Sequence, residues 1–418
     1  MVASPGPYSR WTERSRLIRG HVGHADVLVL SARYGAGHWQ AGRAICDALA
    51  ATSPNVASVE LDYMDLVHPA VNRTVQSIYL TSIKHFPSGY GWFYRTTCAI
   101  PPDSPFQSFL NRLGRENLAA VLDEARPRVV VSTFPTQAGV LSDMRRRERI
   151  NIPTITVITD NTVHSQWVHP FTDLYCVSSP EVAQALMHRG VDAARIVVTG
   201  IPVRQAFARP IDPQEARRRH NLDPDLPIIL VMSGAFGALG GTVSTCHVLT
   251  HMGRPLQVVV IAGKDRQLAQ RLRGLTRHFP FPVHIMGFVE EVADFMGAAD
   301  LLITKAGGLT TAEAAAVGLP MIIFRPIPGQ EEANAAYFSE RGAALLSHST
   351  AELRDHVDAV LGDRDRLAAM SRAARLLGRP RAANHVTQLA LALGTLTPRP
   401  GRRLPAHEVC RITAGVLL

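Results

Sequence analysis

Residues 300–338 read DLLITKAGGLTTAEAAAVGLPMIIFRPIPGQEEANAAYF. A short apolar run, Leu301 to Thr304, ends in Lys305-Ala306-Gly307-Gly308, and a helix-like run from Thr310 to Val317 follows at once. Gly318 and Pro320 stop that helix, and a second apolar strand runs from Met321 to Phe324. A glycine turn at the end of a strand therefore feeds a helix N-terminus. Unspent backbone N–H groups and the positive end of the helix dipole then face one point, which favours a phosphate. The next loop, Pro328-Gly329-Gln330-Glu331-Glu332-Ala333-Asn334, is dense in side chains that hydrogen-bond hydroxyls. A phosphate site beside a hydroxyl-reading loop points to a nucleotide-sugar.

The same alternation extends in both directions. Val27–Leu30, Ser58–Leu61, Val129–Val131, Thr154–Ile158, Leu174–Val177 and Ile196–Val198 are short and rich in β-branched residues. Helical spacing lies between them, as at 41–49 (Ala41, Ile45, Leu49) and at 109–122 (Leu110, Leu113, Leu118, Val121, Leu122). The second half repeats the scheme with Ile228–Met232, Val258–Ala262, Val283–Met286, Leu301–Ile303 and Met321–Phe324. Strands alternating with helices predict parallel sheets covered on both faces. A boundary is expected near Gly200-Ile201-Pro202-Val203, followed by a Pro- and charge-rich linker to Pro227. The expected organisation is α/β: a basic extension over 1–24, a domain over 25–200, a second over 201–395 with terminal helices, and a loose tail over 396–418. Two doubly wound domains with a cleft between them would hold ligands at the carboxyl ends of their strands.

At 418 residues, 46% hydrophobic and 19% charged, the composition is that of a folded protein. The formal net charge of +9 calls for an anionic partner, which could be a nucleotide, an anionic membrane surface or nucleic acid. The Arg residues are scattered among acids with no aromatic nucleic-acid motif, which argues against the last. Five scattered cysteines without a CxxC pair indicate neither a zinc site nor a disulfide framework and fit a reducing cytosol. No run approaches the ~20 apolar residues of a spanning helix. Met1 to His24 is polar and basic and lacks the apolar core of a secretory signal, so the expected location is cytoplasmic.

Two further glycine turns open the two halves. Ser31-Ala32-Arg33-Tyr34-Gly35-Ala36-Gly37-His38 follows the first strand and departs from the dinucleotide fingerprint, since the next glycine is Gly42. A histidine in the first turn of a helix is kept neutral by the dipole and can accept an alcohol proton near pH 7. Equally, His38 could only cap or pack. Ile158-Thr159-Asp160 ends another strand and is followed by His164 and Trp167. Asp160 could orient His38, act as the base itself, or close an Asx turn. The third turn, Ser233-Gly234-Ala235-Phe236-Gly237-Ala238-Leu239-Gly240-Gly241, follows Ile228–Met232. Thr310-x-x-Glu313 has the spacing of a capping box, which would account for Glu313 without any ligand. No Asp-x-Asp metal site is apparent, so neither metal nor cofactor is expected.

These motifs resemble the inverting glycosyltransferases of family 28, and within them the monogalactosyldiacylglycerol synthases and processive diacylglycerol glucosyltransferases. The resemblance covers most of residues 26–375 and is most specific from Thr304 to Tyr337. It implies a GT-B architecture and transfer of a hexose from UDP-glucose or UDP-galactose to diacylglycerol or a related lipid. It implies His38 at the reaction centre with Asp160, and Gly35, Gly37, His164 and Trp167 around the acceptor. On the donor side it implies Gly234, Gly237, Gly307, Gly308, Leu309 and Thr310 near the diphosphate. Glu313 would then bind the ribose, Gln330 and Glu331 the sugar hydroxyls, and the backbone at Phe288 the uracil.

Residues 68–115 carry an apolar stripe (Val71, Val75, Ile78, Tyr79, Ile83, Phe86) with Arg73 and Lys84 beside it, then Tyr90, Trp92, Phe93, Tyr94 and Arg95. Aromatics interleaved with basic residues suit a membrane interface, although an ordinary amphipathic core helix reads the same way. By resemblance this surface, Trp92 included, meets the lipid acceptor and the inner face of the cell membrane. Arg145-Arg146-Arg147 and Arg217-Arg218-Arg219 are expected to be solvated helix ends that add attraction to anionic lipid. The same machinery serves other acceptors, such as a lipid-linked muramyl peptide, but that branch usually carries two glutamines where this chain has Gln330-Glu331. A UDP-sugar 2-epimerase shares the fold but has no use for the 68–115 surface.

Overall fold

The structure is a computed structural model that describes residues 23–33, 36–67, 87–98, 114–232, 241–276 and 281–417, with isolated positions at 70, 72–74, 77, 100, 104, 112 and 279. The chain divides into two compact units. The first comprises Met1–Ile83, Trp92–Arg204 and Arg381–Leu418, and the second Lys84–Gly91 and Gln205–Pro380.

The first unit is built on β1 (Val27–Ser31), β2 (Ser58–Asp62), β3 (Val129–Ser132), β4 (Thr154–Val157), β5 (Leu174–Val177) and β6 (Ile196–Val198). They form one sheet in the order β2-β1-β3-β4-β5-β6, every pairing parallel. The second unit holds β7 (Ile228–Met232), β8 (Gln257–Ile261), β9 (Val283–Met286), β10 (Leu301–Thr304), β11 (Met321–Phe324) and β12 (Ala344–Ser347). Their order is β12-β11-β10-β7-β8-β9, again wholly parallel. Buried strands such as β1, β3 and β10 are apolar on both faces, because helices cover both sides. Strand β12 was not expected: its four residues, ALLS, carry no period of their own and are ordered by pairing with β11.

Several expectations are corrected. Of the helix expected at 109–122, Leu110 and Leu113 lie outside the described residues, and the described part is the helix Arg115–Ala125, preceded by Gly114 at φ 76°. The expected linker after Val203 contains the short helix Pro213–Arg219, capped by the Asp212 carboxylate. Its Arg217 is buried, donating to Ala298 O (3.0 Å) and to Asp300 Oδ2 (2.9 Å), and Asp300 Oδ2 also accepts from Ile228 N–H (2.8 Å). Arg145 is wholly buried, and Arg146 and Arg147 both pair with Asp143, so neither arginine run is a set of free cations.

The largest correction concerns the C-terminus. Residues 381–395 belong to the first unit, not the second, and 396–418 is not a loose tail. Helix Ala382–Leu393 buries Val386, Leu389, Ala390 and Leu393 against β1, β3 and helix Ala36–Thr52, and helix Ala406–Leu417 adds Val409 to that cluster. Polar anchoring comes from Asp173, whose side chain is fully buried. Its carboxylate pairs with Arg145 and accepts from Thr154 N–H (2.9 Å) and Leu404 N–H (2.7 Å). Arg195 bridges the same place, donating to Asp173 O (3.2 Å) and to Leu404 O. Arg145 also donates to Ile152 O.

Removing one partner of a buried ion pair leaves the other uncompensated. Asp173→Ala is therefore expected to cost about 3–5 kcal/mol in urea denaturation. Limited proteolysis should show faster cleavage in 396–405, while an unchanged cleavage pattern would mean that Leu404 is held without Asp173.

Candidate functional site

In the first sheet the strand order reverses between β1 and β3, and the crevice outside their carboxyl ends is where open α/β sheets bind ligands. His38 stands there, the third residue of helix Ala36–Thr52. Its Nδ1 lies 2.9 Å from Thr133 O, just beyond β3, and 2.9 Å from Thr159 Oγ1, just beyond β4. A carbonyl only accepts, so this geometry assigns the proton to Nδ1 and leaves Nε2, which bonds none of the described residues, with its lone pair. Thr133 Oγ1 donates back to His38 O (3.0 Å), locking the helix start to the sheet. The ring packs edge-on to Phe134 at 4.9 Å and lies 6.2 Å from the Trp167 ring. Burial pushes the His38 pKa below its usual value, opposed by the Asp160 charge and the Thr133 carbonyl. A neutral imidazole with a free Nε2 can take a proton from an alcohol. Asp160 acts on the ring through its charge, and its own backbone is fixed by Ser178 Oγ at 2.8 Å.

The neighbouring candidates separate into different roles. Trp167 is buried in the first unit's core and supports the His38 ring. His164 uses both ring nitrogens: Nδ1 accepts from Gln166 N–H (3.2 Å), and Nε2 meets Thr97 Oγ1 (3.1 Å). With Ser165 Oγ bonded to Thr97 O (3.0 Å), it fastens the end of helix Pro87–Thr97. Burial pushes its pKa down to about 4. Trp92 on that helix is 65% exposed and stands with exposed Arg95. Gly37 lies in the first turn of the His38 helix. Gly35, Gly234, Gly237 and the stripe residues Val71, Val75, Ile78, Tyr79, Ile83 and Phe86 lie outside the described residues.

In the second sheet the order reverses between β7 and β10. A small pocket at their carboxyl ends is lined by Met232, Thr242, Thr245, Thr304, Lys305 and Phe324, among others. Helix Gly308–Val317 starts here with Gly307 as N-cap and no side-chain cap. Thr311 N–H bonds Gly307 O (3.0 Å), which leaves the N–H groups of Gly308, Leu309 and Thr310 without an intrahelical partner. The capping box Thr310-x-x-Glu313 does not form, because the helix begins at Gly308 and Thr310 already occupies its third position. Glu313 is buried inside the helix, 4% exposed, and the cap reading no longer accounts for it. Gly318, at φ 73°, ends the helix in a left-handed turn.

Gln330 and Glu331 are the first two residues of helix Gln330–Ser339. Glu331 Oε2 accepts from Ile327 N–H (2.8 Å), and the capping role falls to Glu332, which accepts from Gly329 N–H (3.1 Å). Phe288, just past β9, is 59% exposed with Lys264 Nζ 5.7 Å from its ring centroid.

Four residues here were missed as site members. Thr133 and Thr159 set the His38 tautomer, and the Thr159 signal was its place beside Asp160. Buried Asn334 donates to Ala306 O (2.9 Å) and so ties helix Gln330–Ser339 to the glycine turn. Lys305 lines the pocket; burial lowers its pKa, with Glu331 opposing and Arg325 adding to the shift.

Residues 38–203 match the family model of monogalactosyldiacylglycerol (MGDG) synthase, and residues 228–386 match the glycosyltransferase family 28 C-terminal domain. A processive diacylglycerol beta-glucosyltransferase of Bacillus cereus is 33% identical over 381 residues, covering 90% of this chain and 96% of the relative. Among solved structures, MurG of Acinetobacter baumannii superposes with a TM-score of 0.57 at 16% identity, covering 88% of this chain and 99% of that one. The UDP-GlcNAc 2-epimerase of Neisseria meningitidis, bound to UDP-GlcNAc, gives 0.54 at 14%, covering 86% and 97%. Those two likenesses establish the two-unit GT-B fold.

His164 and His169 carry a pH signature. His169 is buried, its Nε2 2.8 Å from Gln166 O, and burial pushes its pKa down to about 4 as well. Both rings are neutral in the folded state, while an unfolded histidine protonates near 6.5. Their contribution to stability is complete above pH 6.5 and is lost as pH falls through about 4. Urea denaturation across that window should show the wild type losing stability more steeply than His169→Gln; parallel curves would contradict the assignment.

Proposed function

This chain belongs to the family 28 glycosyltransferases, in the branch of the monogalactosyldiacylglycerol synthases and diacylglycerol glucosyltransferases, and from that premise we propose that it transfers a hexose from a UDP-sugar to the free hydroxyl of diacylglycerol, forming a β-glycoside. The observation that carries the catalytic part of this reading is the His38 ring, held by Nδ1 at Thr133 O with Nε2 left as the acceptor. Nε2 takes the proton of the acceptor hydroxyl as its oxygen attacks the anomeric carbon from the face opposite UDP. Asp160 stabilises the imidazolium that results, since its charge already favours the protonated ring. The C–O bond to UDP breaks, and the charge of the leaving diphosphate is met by the N–H groups of Gly308, Leu309 and Thr310 and by the Lys305 ammonium.

Glu313 binds the ribose, Gln330 and Glu331 read the sugar hydroxyls, and the backbone at Phe288 meets the uracil. UDP-glucose is the proposed donor, following the activity named for the Bacillus relative. The acceptor places the enzyme on the inner face of the membrane as a peripheral protein. Exposed Trp92 and Arg95 on one helix and the net charge of +9 support that location. No helix among the described residues is long and apolar enough to cross a membrane.

Radiolabelled transfer from UDP-glucose and UDP-galactose into diacylglycerol vesicles tests the assignment directly, and label confined to a water-soluble product would refute it. His38→Ala should lower turnover by about 10²–10⁴ with UDP affinity nearly unchanged, because the donor residues lie in the other unit. Loss of UDP binding together with activity would move His38 out of the base role. Glu313→Ala should weaken UDP binding by roughly 1–3 kcal/mol in calorimetry, the scale of a charge-assisted hydrogen bond. Unchanged affinity in the folded variant would remove Glu313 from the donor site.

A further inference from the structure

Beneath the start of the His38 helix lies a half-buried glutamate, Glu60, that the reaction does not use. Glu60 sits in the middle of the edge strand β2 and pairs in register with Val29 of β1. Its Oε1 accepts from Ser31 Oγ at 2.9 Å, and Ser31 is the last residue of β1. On the other side, the fully buried Gln137 donates through Nε2 to Ser31 O at 2.8 Å. Ser31 is therefore clamped by side chain and by backbone at the point where the chain leaves the sheet for His38. In this position the Glu60 carboxylate lies close over Gly42, where a Cβ would come within 2.4 Å of Glu60 Oε1. Glu60 Oε2 is shielded from solvent and has no hydrogen-bond partner among the described residues.

We propose that Glu60 is a positioning residue whose ionisation tightens the junction between β1 and the His38 helix, giving turnover a second proton dependence that is separate from that of the base.

The groups facing Glu60 are Ser31 on β1, Arg33 just beyond it, and Arg43, Cys46 and Asp47 on helix Ala36–Thr52. Burial pushes the Glu60 pKa up to about 7, Asp47 pushes the same way, and Ser31, Arg43 and Arg33 pull it back. A group that lowers an acid's pKa binds the ionised form more strongly, because the same free energy appears on both sides of the cycle. Ionised Glu60 therefore holds the Ser31 hydroxyl more tightly than the protonated acid does, and it attracts Arg33, before the helix, and Arg43, within it, through its charge. Arg33 is already directed by the Trp39 ring, 4.0 Å from its guanidinium carbon, and by Asp62 at 3.7 Å. Trp39 is the residue next to His38. Charge on Glu60 thus reaches the base through the residues that hold its helix, without touching substrate.

The inference rests on His38 acting as the base, so it needs a readout that does not depend on catalysis. A raised acid stabilises the fold fully below its unfolded pKa near 4.5, and the contribution is lost as pH rises through about 7. Urea denaturation of the wild type and Glu60→Gln from pH 4.5 to 8 should show the wild type losing relative stability across that window. This slope is opposite in sign to that of the buried histidines, which cancel in the difference. The second readout is the pH profile of glucose transfer from UDP-glucose to diacylglycerol. In the wild type kcat should rise in two steps, one below pH 6.5 from His38 and one near 7. Glu60→Gln should keep the first and lose the second, with a several-fold lower kcat at pH 8 and an unchanged KM for UDP-glucose. Ser31→Ala, which removes one group favouring ionisation, should move the second step to higher pH. Parallel stability curves, or identical pH profiles for wild type and Glu60→Gln, would overturn the proposal. A stability difference that persists in a His38→Ala background while turnover is lost supports the titration of Glu60 independently of the catalytic reading.

Discussion

Both units obey one constraint: every strand of each six-stranded sheet is parallel to its neighbours. A parallel strand cannot return through a tight turn, so each connection must cross the sheet as a helix and loop. All strands of a sheet therefore end along one edge, and all the loops that follow them gather there. Where the order reverses, between β1 and β3 in one sheet and β7 and β10 in the other, adjacent loops diverge and leave a crevice. His38 occupies the first crevice, and the Gly307-Gly308 helix start opens at the second.

The two crevices are equipped differently. The second offers backbone: three N–H groups at an uncapped helix start, a turn held from behind by Asn334, and one lysine whose ammonium is partly desolvated. That inventory suits a charged group that arrives and leaves in the same ionisation state. The first offers one neutral ring with one nitrogen engaged and the other open. Burial keeps the imidazole neutral, while the Asp160 charge keeps the protonated form within reach. A base that must gain and then release a proton needs both influences.

The return of the chain to its first unit is a matter of apolar burial fixed by one carboxylate. Helix Ala382–Leu393 supplies Val386, Leu389, Ala390 and Leu393 to the β1–β3 face, and Asp173 holds Leu404 beside β4. The surface that the first sheet presents is thus completed by residues nearly 200 positions from its last strand. Arginines that look like surface charge in the sequence serve as buried ties instead, Arg145 and Arg195 at Asp173 in this framework and Arg217 at Asp300 within the second unit.

The sequence by itself determined the alternation, most strand positions, the glycine turn with its helix and the candidacy of His38. Each of these is local: a β-branched run, a Gly-Gly pair or a histidine after glycines has the same meaning in any context. Tertiary structure decided everything that depends on a partner far along the chain. The tail looked loose because Pro398, Pro400 and Gly401 punctuate it, and only Asp173 and the β1–β3 face give Leu404 and Val409 a place. Glu313 looked like a cap until the helix was seen to begin at Gly308. The tautomer of His38 was beyond reach of the sequence, since it is set by a carbonyl 95 residues away. So was Glu60, which reads as an ordinary polar residue on an edge strand. Its packing beside Gly42 and Ser31 partly shields it from water, and that desolvation is what alters its chemistry.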